Sequence, residues 1–90
     1  MITLKQVRGP LAGYAHSISR NKDGNIVVRR SFFYTHGRTA QKFADECVAL
    51  LAAAGCKVQV KDLNEIWKPF RGGHSVAQGS HFYAELTEVQ

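Results

Sequence analysis

Apolar residues recur at three- and four-residue spacing in one stretch of the chain. Ala40, Phe43, Ala44, Cys47, Leu50, Leu51 and Ala54 form a single stripe along Thr39 to Ala54, with Gln41, Lys42, Asp45 and Glu46 opposite it near the start. This spacing predicts a helix. Thr39 suits its N-cap, and Gly55 stands where a left-handed residue ends a helix. Elsewhere the period is two. Lys57-Val58-Gln59-Val60-Lys61 alternates as a strand, and Asp62 to Lys68 reads as its extension past a bulge, blocked at Pro69. His81 to Val89 is a final strand with Phe82, Ala84 and Leu86 on one side.

The first half is less regular. Ile2 to Val7 reads as a short strand, broken by Gly9-Pro10 and Gly13. Tyr14 to Arg20 alternates weakly. Asn21-Lys22-Asp23-Gly24-Asn25 is a hairpin turn, with Gly24 supplying a positive φ. Ile26 to Thr35 follows as a long strand rich in β-branched and aromatic residues. Phe70 to Ser80 is a glycine-rich connection. The expected fold is α+β: a single domain over residues 1–90, in ββαββ order, with an antiparallel sheet of about four strands and one helix on one face.

One helix covers one face of such a sheet and leaves the other open. If Ile18, Ile26, Val28, Phe32, Tyr34, Val58, Val60, Phe82, Ala84 and Leu86 face the helix, period two sends Ser17, Ser19, Val27, Arg29, Phe33, Lys57, Gln59, Lys61, His81 and Tyr83 outward. Arg30 falls on the buried side, a conflict that a bulge at Arg29-Arg30-Ser31 or an edge position would relieve.

Charge sharpens this picture. The chain carries 12 Lys+Arg against 7 Asp+Glu, a net of +5, which excludes an acidic solvating protein and points to anionic partners. Residues 1–42 hold Lys5, Arg8, Arg20, Lys22, Arg29, Arg30, Arg38 and Lys42 against Asp23 alone, whereas residues 43–90 are net acidic. Such asymmetry suggests an electrostatic binding face. The longest apolar run, Val48 to Ala54, is far below the roughly 18–20 residues that span a bilayer. Met1 to Arg8 has no apolar h-region, and two cysteines cannot build a disulfide scaffold. A cytoplasmic protein with reduced thiols and no membrane partner is expected, with Cys47 and Cys56 as core filler.

Motifs for catalysis or cofactors are lacking. His16, His36, His74 and His81 are scattered, with no CxxC, HxxxH or HExxH spacing, and the glycine loop matches no phosphate-binding fingerprint. No enzyme activity, metal or cofactor is expected. The informative stretch is Val28-Arg29-Arg30-Ser31-Phe32-Phe33-Tyr34, where arginine pairs with phosphate and exposed rings stack on bases. The leading reading is a small basic nucleic-acid-binding module that works through Arg29, Arg30, Phe33, Lys57, Lys61 and Tyr83, with Arg20 and Arg71 at the rim and His74 as a loop contact. The alternative is an inhibitor that binds a protein or nucleoprotein complex of nucleic-acid machinery, of the size common among anti-CRISPR proteins. Trp67, Phe70 and the glycine loop would then be the contact sites. A homodimer formed through sheet edges is compatible with both.

Overall fold

A computed structural model describes residues 2–32, 39–69 and 78–89. Its elements are α1 (Leu4–Leu11), β1 (Ser17–Arg20), β2 (Ile26–Phe32), α2 (Ala40–Ala53), β3 (Val58–Pro69) and β4 (Gln78–Glu88). The four strands form one antiparallel sheet in the order β1-β2-β4-β3. The α+β class and the four-stranded sheet are as expected. The order is αββαββ, so the expected ββαββ order and single helix are corrected by α1.

The first helix has a local cause. Thr3 and Gln6 make a reciprocal capping box: Thr3 Oγ1 accepts from the Gln6 N–H at 3.2 Å, and Gln6 Oε1 accepts from the Thr3 N–H at 2.8 Å. Two otherwise orphaned backbone donors are satisfied together, which favours a helix over the short strand read from Ile2 to Val7. Val7 and Leu11, one turn apart, are fully buried. Pro10 lies in the last turn, where its missing N–H leaves no helical bond to the Gln6 carbonyl.

The second helix follows its sequence signals. Thr39 Oγ1 accepts from the Lys42 N–H at 3.1 Å. At the far end the Cys56 N–H donates to the Leu51 carbonyl and the Gly55 N–H to that of Ala52, a Schellman closure with Gly55 at φ +87°. Ala40, Phe43, Ala44, Cys47 and Leu51 are buried, but Leu50 is 38% exposed and lies off the stripe. Asn21 Oδ1 accepts from the Asp23 and Asn25 N–H groups, and Gly24 takes φ +82°, forming the expected turn.

Both helices contribute to one core on the same side of the sheet. Ile26, Val28, Val58, Phe82, Ala84 and Leu86 meet Val7, Leu11, Phe43, Cys47 and Leu51 there. Tyr14 stacks on Phe43 at 5.8 Å and Phe43 on Phe82 at 6.0 Å, joining the segment after α1 to α2 and β4. Cys47 and Cys56 are free and buried, and burial, aided by the charge of Glu46, pushes the Cys47 thiol up to about 12.

The strand ends differ from those read in the sequence. β3 continues to Pro69 and β4 begins at Gln78, so the connection read as Phe70 to Ser80 is shorter at its far end. The hairpin that these strands form outruns the helices. Glu65, on the helix side of β3, is exposed. The Cα radius of gyration is 13.7 Å, against about 12 Å for a compact 90-residue chain.

Gly55 has open space around its missing Cβ, so only its backbone angle resists substitution. Gly55→Ala is expected to cost about 1–2 kcal/mol in urea unfolding. A loss near zero would show that the left-handed residue is not needed. Because Cys47 is buried with a raised pKa, its modification by a thiol reagent at pH 8 should require global unfolding. Rapid labelling of the native protein at Cys47 would contradict this.

Candidate functional site

Residue alternation gives the sheet an outer face that neither helix covers. Arg29 of β2 and Tyr83 of β4 are cross-strand partners there, with the guanidinium carbon 5.4 Å from the ring centroid. Next along the face, Ser31 pairs with His81, and Ser31 Oγ and His81 Nδ1 share a hydrogen bond of 2.6 Å. β3 supplies Asn64 opposite Tyr83 and Ile66 opposite His81. Together with Arg30 and Phe82, these six residues line a shallow depression of about 360 Å³, at the lower end of the range that holds small ligands. Ile66 is 46% exposed within it.

A bulge decides which β3 residues reach this depression. Val60 pairs with Leu86 but Asp62 pairs with Glu85, so Lys61 is the extra residue. Facing therefore shifts by one after Lys61: Leu63 packs against the core, and Asn64 and Ile66 turn outward. The sequence reading placed a bulge in this region without fixing its residue, and so missed Asn64 and Ile66.

The opposite end of the outer face is closed. Glu85 accepts from Asn21 Nδ2 at 2.8 Å and Asn25 Nδ2 at 2.7 Å, and Lys61 Nζ lies 3.7 Å away. Glu85 and its cross-strand neighbour Val27 are buried although they lie on the outer side. Hydrogen bonds from Asn25 and Asn21, with Lys61 nearby, hold the Glu85 carboxyl below its ordinary value against the opposing effect of burial.

The candidate residues thus separate into groups. Arg29 and Tyr83 come together at the depression. Lys57 is exposed at the end of the face, and Lys61 is exposed but already beside Glu85. Arg20 and Arg30 lie on the helix side. Arg20 donates to the carbonyls of Gly24 at 2.6 Å and Ile2 at 2.7 Å, fastening the turn and the start of the chain. Arg30 donates to the Tyr14 carbonyl at 2.6 Å, and its guanidinium carbon is 4.7 Å from the Tyr14 ring centroid. Neither a bulge nor an edge position relieves the Arg30 conflict: β2 is an interior strand in unbroken register, and Tyr14 receives the charge. Phe33, Arg71 and His74 lie outside the described residues, as do Tyr34 and Phe70.

The charge asymmetry between chain halves does not become an asymmetry between faces. Lys5, Arg8 and Lys42 are exposed on the helices, while Asp62 and Glu85 belong to the outer face. Among the described residues, no three His, Cys, Asp or Glu side chains gather as a metal site, and no helix is long and apolar enough to cross a membrane. No protein family, characterised protein or solved structure matches the chain.

A carboxylate held low in the fold stabilises it above the unfolded value, about 4.3 for glutamate, and that contribution is lost as pH falls through the lower folded value. The stability advantage of the unmodified protein over Glu85→Gln, from urea melts between pH 3 and 7, should therefore shrink below about pH 4. A difference constant with pH would show that the charge of Glu85 contributes nothing.

Proposed function

We propose that the protein is a non-enzymatic module that binds single-stranded nucleic acid on the outer face of its sheet. The carrying observation is the Arg29–Tyr83 pair beside an uncovered depression: a cation for phosphate or a base edge, next to a ring on which a base stacks. Asn64 and His81 supply polar contacts, and Ile66 adds apolar surface. Lys57 lies at the far end of the face from the depression, beyond Glu85, and Lys61 contributes less because Glu85 partly neutralises it.

A second reading rests on the outer edge of β3. Its twelve residues pair only with β4 among the described strands, and Ile66 stands exposed on that strand. A long unpaired edge with an apolar residue suits strand addition by a protein partner, as an inhibitor of a protein or nucleoprotein complex would use.

Fluorescence anisotropy with labelled single-stranded DNA and RNA at low and moderate salt separates the two. Saturable, salt-sensitive binding is expected. Tyr83→Ala should weaken it by about 1–3 kcal/mol, and Arg29→Ala should reduce the salt slope by about 0.7. Arg20→Gln should lower stability while leaving the affinity of the folded protein unchanged, because its donors are spent on the carbonyls of Gly24 and Ile2. Absence of binding at low salt would overturn this reading in favour of a protein partner at the β3 edge.

A further inference from the structure

Around the depression, the protein's own backbone takes up side-chain acceptors and leaves donors. His16 Nδ1 accepts from the Ser31 N–H at 3.3 Å, which fixes the ring proton on Nε2 and makes this exposed imidazole a donor at the rim. Asn64 Oδ1 accepts from the Glu65 N–H at 2.9 Å, so the amide NH₂ is its open end. Arg29 makes no hydrogen bond among the described residues. The Tyr83 ring, its centroid 5.4 Å from the guanidinium carbon, backs that fork and holds it in place. Ser31 Oγ and His81 Nδ1 are engaged with one another. Among the described residues, no carboxylate lines the depression.

Such a set calls for an anion made of acceptors, as a phosphate is. The next row of the outer face bears on which kind. Asp62 and Glu85 are cross-strand partners immediately beyond Asn64 and Tyr83, two carboxylates against the single ammonium of Lys61. A chain of phosphodiesters laid along the strands would bring its next charge onto this row. A monoester ends where it binds. It offers three acceptor oxygens and about −1.5 to −2 charges at pH 7, whereas a diester carries one charge and fewer free oxygens.

We propose that the depression is a seat for a phosphate monoester, with the Arg29 fork bidentate to two of its oxygens, the Asn64 amide as a second donor and His16 at the rim. The source of that monoester rests on the nucleic-acid reading above: it is the phosphorylated end of a single strand.

The test uses the full chain and single-stranded heptamers of cytidine that end in a 5′-phosphate, a 3′-phosphate or hydroxyls only, each labelled away from the phosphate. A terminal phosphate is expected to tighten binding by about 10- to 150-fold, the worth of one hydrogen bond to a charged group. Asn64→Asp keeps the acceptor for the Glu65 N–H but replaces the amide donor by a charged oxygen, and should remove most of that gain. Arg29→Lys should leave the hydroxyl-ended strand bound in a salt-sensitive way while reducing the gain, because lysine keeps the charge but not the fork. An undiminished gain in both variants would overturn the depression as the seat. Equal binding of phosphorylated and hydroxyl ends would overturn the monoester assignment and leave the nucleic-acid reading standing. Glycerol phosphate, which has no base, separates the sources. Its displacement of the phosphorylated strand at concentrations comparable to the Kd of that strand would support the seat and overturn the strand end as its source. Binding of neither the strands nor glycerol phosphate would overturn both readings.

Discussion

The structure depends on how a cation is accommodated on the core side of an interior strand. Arg30 faces the helices, beside Phe82 of the neighbouring strand. Its charge is met by the ring and carbonyl of Tyr14, a residue from the turn after α1. The same ring stacks on Phe43 of α2, and its hydroxyl donates to Glu46 of α2. Burial and the Glu46 carboxylate raise the Tyr14 hydroxyl above its ordinary pKa, so it stays protonated and remains a donor. Both helical segments and two strands are therefore fastened around one guanidinium. Because strand residues alternate, an inward Arg30 forces Arg29 outward. The anchoring of one arginine orients the other.

The outer face has two characters for a related reason. Near the β1–β2 turn, a carboxylate receives two amide N–H groups and lies beside an ammonium, so its polar groups are spent on one another. At the other end the short β1 has finished. His16 stands in for the missing strand there, its Nδ1 accepting from the Ser31 N–H at 3.3 Å. Arg29 has no carboxylate partner at that end among the described residues. One end is a structural closure and the other is an open surface rich in donors. Formal charge along the chain does not distinguish them, since both ends carry a cation.

Periodicity and turn chemistry made much of this legible in the sequence. The α2 stripe, Thr39, Gly55 and the Asn21 to Asn25 turn are local signals, and local physics places them. The N-terminal helix was written locally too, as Thr3-Leu4-Lys5-Gln6, but an overlapping alternation in Ile2 to Val7 resembles a strand. Arg29 and Tyr83 follow from parity alone. Asn64 and Ile66 do not, because their facing depends on which residue the bulge takes up, and that is settled by pairing with β4. Arg20 and Arg30 resemble free surface cations until long-range partners, Ile2 and Tyr14, are brought to them. Such contacts depend on chain segments meeting in space, which spacing does not record.

The bulge at Lys61 also bears on how the chain tolerates changes in its length. Because the register already runs from Val60 and Leu86 directly to Asp62 and Glu85, loss of the Lys61 codon would leave every later residue of β3 on its present side. The same loss at any position from Leu63 to Ile66 would exchange sides for the strand beyond it and move the depression's β3 wall into the core layer. The bulge is thus a site where this strand can lose one residue, with some change of local twist, and keep the lining of the depression.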